Sequence, residues 1–335
     1  MSFTANILPL SLEQYFSSQA KTDNLPVAFS LSEQAITIED HTSNEPSTKA
    51  VELVVFQSLT LSTLLTIQTQ AKIAINALTA INTRNQQTSF RFQVLCDDFV
   101  QSRKALAEFA LEHKIEAALV SNAPKLAEPG LLVMDMDSTT IEIECIDEIA
   151  KLAGVGEEVS EVTERAMLGE LDFAQSLHQR VATLANSPET ILSDVAKNIP
   201  LMAGLKNLIT ELKKHNWRIA IASGGFTYFA DHLKDTLNLD AAFANTLEII
   251  DGKLTGKVLG SVVDAQVKAD SLGILSKEYQ IPQSQTVAMG DGANDLVMMA
   301  AASFGVAFHA KPIVLAQADT SINQQGLDCL LHWLA

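Results

Sequence analysis

Two aspartates, Asp135 and Asp137, stand two residues apart in DMDST, where the apolar run Leu131–Asp137 ends. In an extended strand that spacing turns both carboxylates to the same side. Like charges so close repel, so the pair needs a cation or a shared proton. Asp291 in GDGAND closes a second run, TVAMGDG, and offers a further oxygen ligand. Carboxylate-bearing loops converging on one crevice suit a hard, oxygen-preferring cation, and Mg2+ is the natural choice. A third run, Arg218–Gly225, ends in Ser223-Gly224-Gly225. A hydroxyl beside unobstructed backbone N–H groups, where a strand meets a helix, receives a phosphate. Lys268 lies in the helical stretch Asp264–Tyr279, and its local pattern alone reads as a solvated surface lysine. Gly290-Asp291-Gly292 lacks the third glycine of a dinucleotide fingerprint.

These segments need a scaffold that brings strand ends together. After about residue 126 the chain alternates apolar runs with amphipathic helices: LLVMDMD, RIAIASGG, TVAMGDG and GVAF. Runs of this length imply a parallel sheet covered on both faces, a doubly wound α/β fold. Ligands bind such sheets at the carboxyl ends of the strands, where every polar cluster here falls. A helical insertion from about Glu144 to Pro200 separates the first two strands and emerges at that end, the place of a cap or lid. Within it Asp172 caps a helix striped by Phe173, Leu177, Val181 and Leu184, and Ser187-Pro188 opens another. EIIDGKLTG (Glu248–Gly256) reads as a hairpin with an Asp-Gly turn.

Residues 1–125 have a different texture. VELVVF, FRFQVLC and IEAALV read as strands, and helical patterns cover roughly Leu59–Ile81 and Val100–His113. This predicts a separate α+β accessory domain, ferredoxin-like, with outer strands poorly marked. SNAPKLAEPG (Ser121–Gly130) reads as the linker to a domain spanning 126–335. Asp97-Asp98 reads as a helix start and Met298-Met299 as core. His178, His232 and His309 have no partner at ligand spacing.

Composition narrows the function. Of 335 residues 47% are hydrophobic, enough for packed cores, and 40 acidic against 23 basic residues leave a net charge of −17. Such a surface repels phosphate backbones and anionic lipid, which argues against nucleic-acid and membrane partners. A few local cations or a metal ion still admit a small anionic substrate. The three cysteines, Cys96, Cys145 and Cys329, fit neither a disulfide framework nor a zinc site. No charged segment precedes an apolar one as in a secretory leader, and the uncharged stretch Leu53–Ala71 is too rich in Gln, Ser and Thr for lipid. A cytoplasmic protein is expected.

In order, DMDST, SGG, a lone lysine and GDGAND resemble the four motifs of the haloacid-dehalogenase-like phosphotransferases. Within that superfamily they resemble the phosphoserine phosphatase branch. The motif spacings fit, as do ECIDEIA (Glu144–Ala150), Met167, Phe173 and Arg180 in the insertion. The resemblance covers about Leu131–Leu330; residues before the linker share a likeness with amino-acid-sensing domains of the ACT type. It implies hydrolysis of O-phospho-L-serine through an aspartyl-phosphate, the last step of serine biosynthesis. Asp135 is then the nucleophile and Asp137 the general acid and base. Mg2+ is implied on the Asp135 and Asp291 side chains and the Asp137 main-chain oxygen. Ser223, Gly224, Lys268 and Asn294 are implied as phosphate contacts, with Asp295 behind them. Glu144 and Arg180 match the groups that hold the substrate's ammonium and carboxylate, with Met167 and Phe173 beside them. Two other readings stay open: another small-molecule phosphomonoesterase or phosphotransferase of the superfamily, and a phospho-accepting signalling switch. Asp137 and the cap weigh against the switch, because a positioned base hydrolyses the phosphate that a switch must keep. A homodimer contact through the first region is also open.

Overall fold

Period-two apolar runs separated by turn residues dictate strands in both halves of this chain. The computed structural model describes residues 8–17, 25–32, 36–40, 51–168 and 170–335, without the side chains of Asp40 and Met167. The chain divides into two compact units, Met1–Leu126 with Val306–Ala335, and Ala127–Gly305.

The first unit opens with α1 (Leu12–Phe16), β1 (Val27–Leu31), β2 (Ile36–Asp40) and β3 (Val51–Phe56). It continues with α2 (Leu61–Gln70), β4 (Ile73–Arg84), β5 (Gln87–Cys96), α3 (Phe99–His113) and β6 (Ala117–Ser121). The strands pair antiparallel in the order β2-β1-β4-β5-β3-β6. From β3 onward the βαββαβ succession with spatial order β4-β5-β3-β6 is the ferredoxin-like arrangement, and β1 and β2 extend it beyond β4. Leu53, Val55, Phe90, Phe92 and Leu119 of the sheet pack with Leu61, Leu64 and Ile67 of α2 in its core. Asp98 caps α3, accepting from the Gln101 N–H at 3.0 Å.

One expected helix is corrected. The pattern over Leu59–Ile81 splits into α2 and β4, with Lys72 at φ 51° turning the chain between them. β4 carries register shifts between Ile75 and Ala77 and between Leu78 and Ala80. Each shift advances the inward phase by a residue and blurs the period-two pattern into a helix-like one.

The second unit begins with β7 (Leu131–Met134), every residue of it buried. The expected insertion follows as α4 (Cys145–Ala153), α5 (Gly156–Met167), α6 (Phe173–Thr183) and α7 (Thr190–Ala196). Asp172 and Gln175 form a reciprocal capping box at the start of α6. Then come α8 (Leu205–Lys214), β8 (Arg218–Phe226), α9 (Thr227–Leu237), β9 (Ala241–Ile250), β10 (Lys253–Leu259), α10 (Ala265–Glu278), β11 (Thr286–Gly290) and α11 (Leu296–Ala301). These strands follow the order β10-β9-β8-β7-β11. β9, β8, β7 and β11 are parallel neighbours, and β10 returns antiparallel to β9. Asp251 and Gly252, at φ 50° and 73°, make the hairpin turn that the Asp-Gly pair predicts. Met298 and Met299 are core, as expected.

The chain then forms β12 (Phe304–Phe308), α12 (Pro312–Gln317), β13 (Thr320–Ile322) and α13 (Leu330–Trp333), with β12 and β13 parallel. From Val306 these residues belong to the first unit. Glu116, just before β6, accepts backbone N–H groups from Asn323, Gln324 and Gln325. Arg91 of β5 donates to the carbonyls of His332, Trp333 and Leu334. Among the described residues no helix is long and apolar enough to cross a membrane.

Candidate active site

β7 lies between β8 and β11, so the carboxyl ends of these three parallel strands meet at one crevice. Asp135 follows β7 and stays in the sheet, its N–H donating to the Met289 carbonyl of β11 at 2.9 Å. The chain then wraps tightly: the N–H groups of Thr140 and Ile141 both donate to the Met136 carbonyl, and Thr140 Oγ1 donates to the Asp135 carbonyl at 2.6 Å. Asp135 Oδ1 accepts the Met136 N–H at 2.7 Å and faces Lys268 Nζ at 2.9 Å. Both contacts fall on the same carboxylate oxygen.

Lys268 contradicts its local reading as a surface residue. It is 1% exposed, and its ammonium also meets Asp295 Oδ1 at 2.8 Å. Burial alone would lower its pKa; Asp135 and Asp295 outweigh that and hold it above the ordinary lysine value. Asp295 is fully buried and accepts the Gly292 N–H at 3.0 Å. A side chain at Gly290 would collide with it, so glycine is required there by close approach. Asp291 is half-buried and accepts from Thr139 Oγ1 at 3.0 Å. Burial, then the Asp135 charge, raises its pKa. Carboxylate oxygens of Asp135, Asp291 and Asp295 lie within 4.8 Å of one another. Three carboxylates against one ammonium leave negative charge in surplus, and all the donors are oxygens. That set suits a divalent cation.

Asp137 leaves the turn toward the insertion. Its Oδ1 accepts the Cys145 N–H, the first of α4, at 3.0 Å. Burial chiefly, and then the Glu144 charge, push its pKa up to about 7. Glu144 precedes α4 and accepts from Ser138 Oγ at 2.8 Å; Ser138 itself takes φ 57° to make this turn. Arg180 on α6 is half-buried, which lowers its pKa, while Asp147, Glu144 and Asp137 pull it up. Its Nε is buried with no hydrogen-bond partner. The structure thus places Arg180 within charge range of Asp147, Glu144 and Asp137.

On the other flank, Ser223 is 1% exposed, and its Oγ accepts the Gly225 N–H at 2.9 Å. A Cβ on Gly225 would lie 2.7 Å from Asp137 Oδ2, and one on Gly224 would lie 2.5 Å from Phe173 Cζ. Both glycines are demanded by neighbours, and Phe173 of α6 closes over the Ser-Gly-Gly segment. Asn294 is half-buried in the turn Ala293–Asp295, its Oδ1 against Gly292. Met167 ends α5, but its side chain lies outside the described residues.

The family profile for haloacid dehalogenase-like hydrolases matches residues 130–303, which enclose this crevice. A curated phosphoserine phosphatase from Vibrio cholerae is 56% identical over 248 residues, 71% of this chain and 76% of its own. The chain belongs to the phosphoserine phosphatase family of haloacid dehalogenase-like hydrolases. A crystal structure of a probable phosphoserine phosphatase from Vibrio cholerae, unliganded, matches 85% of the chain and 86% of its own, with TM-score 0.72 and 48% identity. A phosphoserine phosphatase solved as a phospho-aspartyl intermediate analogue matches 62% of the chain and 100% of its own, with TM-score 0.59 and 41% identity.

The sequence reading missed part of what shapes this family's site here. Thr139 and Thr140 secure Asp291 and the Asp135 backbone. Asn245 of β9 is 1% exposed and bonds to the Gly224 carbonyl. The available signal was its place: the burial of β9 alternates at Asn245, Thr246 and Leu247, which puts an amide where an apolar side chain belongs.

Proposed function

We propose that this protein hydrolyses O-phosphoserine to serine and phosphate through a phosphorylated Asp135, with Mg2+ held by the Asp135 and Asp291 side chains and the Asp137 main-chain oxygen. The observation that carries the reading is Asp137: two residues beyond the Lys268-bound Asp135, its carboxyl accepts the Cys145 N–H and is pushed up to about 7 by burial and by Glu144. A group poised there is available both as acid and as base. Bound Mg2+ would neutralise the phosphoryl oxygens and lower the repulsion between the incoming dianion and the carboxylates.

The chain's own residues supply the rest. Glu144 takes the substrate ammonium and Arg180, whose Nε has no partner within the protein, takes its carboxylate. Ser223 Oγ, the Gly224 N–H, Lys268 Nζ and Asn294 take the phosphoryl oxygens. The Gly225 N–H already occupies a lone pair of Ser223 Oγ, so the hydroxyl proton is free to point at an anion. Met167 and Phe173 enclose the substrate from the insertion, and Asp295 holds Lys268 in place. An Asp135 carboxylate oxygen attacks phosphorus, and the bond to the serine oxygen breaks as Asp137 gives that oxygen its proton. Asp137, now a carboxylate, takes a proton from water as the water attacks the aspartyl-phosphate. The Asp135–phosphorus linkage breaks, phosphate leaves, and both carboxyl groups return to their starting states. A lasting phospho-signal does not suit a site with such a base. A cytoplasmic setting is part of this reading, in keeping with the acidic charge of the chain.

The test is phosphate release from O-phosphoserine with Mg2+, after chelation, and after Mg2+ is restored. Turnover should vanish on chelation and return with Mg2+. No release in any of the three conditions would overturn the reading.

A further inference from the structure

Ser223, Gly224 and Gly225 do not belong to a regular ladder. β8 pairs with β9 as Ala220↔Ala241, Ile221↔Ala242 and Ala222↔Phe243, and pairing resumes only at Phe226↔Asn245. Three residues of β8 therefore face one of β9, a bulge that lifts the segment out of the sheet and frees the Gly224 N–H from the ladder, while the Gly225 N–H turns to Ser223 Oγ. Lifting it also strips the Gly224 carbonyl of a strand partner, and a buried carbonyl needs another.

Asn245 provides that partner. Its Nδ2 donates to the Gly224 carbonyl at 2.8 Å, and its Oδ1 accepts the Val263 N–H at 2.8 Å. Each end of the amide meets the group it requires, so its orientation is determined. Val263 immediately precedes Asp264, the N-cap of α10, whose side chain accepts the Val267 N–H at 2.9 Å. The next residue along that helix is Lys268. The Gly224 carbonyl belongs to the same peptide group as the Gly225 N–H, which holds Ser223 Oγ. One buried amide thus ties the peptide that aims the serine hydroxyl to the start of the helix that carries the lysine ammonium.

We infer that Asn245 is a positioning residue that sets the spacing between Ser223 Oγ and Lys268 Nζ, and so governs how tightly the phosphoryl group is held. It does not touch substrate. The inference rests on the proposed phosphoserine hydrolysis and deepens it. A change of about 1 Å in such a cradle costs on the order of 10²-fold in rate, and loss of both Asn245 tethers should shift it by that much or less.

Two products separate positioning from stability. Inorganic phosphate occupies the cradle, whereas L-serine reaches only Glu144 and Arg180. In Asn245→Ala, inhibition by inorganic phosphate should weaken ~10-fold or more and kcat/KM for O-phosphoserine should fall ~10–100-fold, with inhibition by L-serine unchanged within about twofold. Asn245→Leu keeps the side-chain size, adds no charge and loses both tethers; it should show the same split and carries the test if the alanine variant does not fold. A purely structural role would lower the active fraction and leave both inhibition constants in place. Unchanged phosphate inhibition in a folded variant, equal weakening for phosphate and serine, or failure of both variants to fold would each overturn the inference. If the wild-type enzyme releases no phosphate from O-phosphoserine, the functional reading itself has failed.

Discussion

Arg91 in the first unit and Lys268 in the second are both buried cations, and they are treated in opposite ways. Arg91, its side chain 5% exposed, meets Glu52 at 2.5 Å and donates to three successive carbonyls of the α13 end. Glu52 is further held by Thr79. Charge there balances one to one, although Arg91 Nε is buried without a hydrogen-bond partner. Lys268 instead faces Asp135 and Asp295, with Asp291 within reach of both and Asp137 and Glu144 nearby. There the acidic groups outnumber the cation, and several are pushed toward protonation. A buried network whose charges balance organises a fold; one left with acidic charge in excess is completed by what binds.

The sharpest way to break this comparison is to subtract one charge from each network. Asp135→Asn should reduce turnover of O-phosphoserine by on the order of 10⁴-fold or more, the scale of removing a nucleophile. Because Asp295 stays on Lys268 and carboxylate repulsion is relieved, the metal-free protein should lose less than ~1 kcal/mol of stability. Rate measurement with chemical denaturation of the chelated protein checks both. A large loss of stability would mean that this network, too, organises the fold.

Arg180→Ala probes the edge of the deficit that awaits the amino acid. The variant should lose ~2–5 kcal/mol of transition-state binding for O-phosphoserine, the cost of removing one partner of a desolvated charge pair. That is roughly 30- to several-thousand-fold in kcat/KM. An aryl phosphate has no carboxylate to hold, so its hydrolysis should change by less than about tenfold. Equal losses on both substrates would place Arg180 in cap structure instead of recognition.

Arg91→Met should do the reverse of Asp135→Asn. Glu52 and three carbonyls lose their partner, which costs ~2–4 kcal/mol of stability; Glu52 is 22% exposed, so water offsets part of the penalty. The kinetic constants per folded molecule should stay within about twofold of wild type. A denaturation midpoint unchanged by the substitution would show that water replaces the guanidinium without loss.

Much of the second unit was legible because chemistry interrupts pattern. Apolar runs that end abruptly in Asp135, Ser223 and Asp291 announce both strands and crevice, and Asp172 announces α6. Lys268 was not legible from its neighbours Asp264, Gln266 and Asp270. Its inward face emerges only with Ser271, Leu272 and Leu275, at spacings of three, four and seven, where its stem occupies an apolar position. Asn245 escaped for a related reason: its partners, Gly224 and Val263, are remote in sequence and chosen by a bulge that no local pattern encodes. In the first unit the bulges of β4 hid a strand inside an apparent helix, and Asn85 and Gln86, both at positive φ, gave no sequence cue as strong as Asp-Gly.

The grip of Glu116 on the loop at Asn323 joins residues 207 positions apart. On a ribosome adding ~5–20 residues per second, about 10–40 s pass between the emergence of the two. Throughout that interval the Glu116 carboxylate lacks its three N–H donors, and Arg91 lacks the carbonyls of His332, Trp333 and Leu334. Every residue of Ala127–Gly305, by contrast, has been polymerised before residues 323–334 are made. The unit that holds residues 1–126 is therefore the later of the two to complete its native contacts, and a nascent chain has the residues of the crevice synthesised while the sheet of the first unit still waits for residues 323–334.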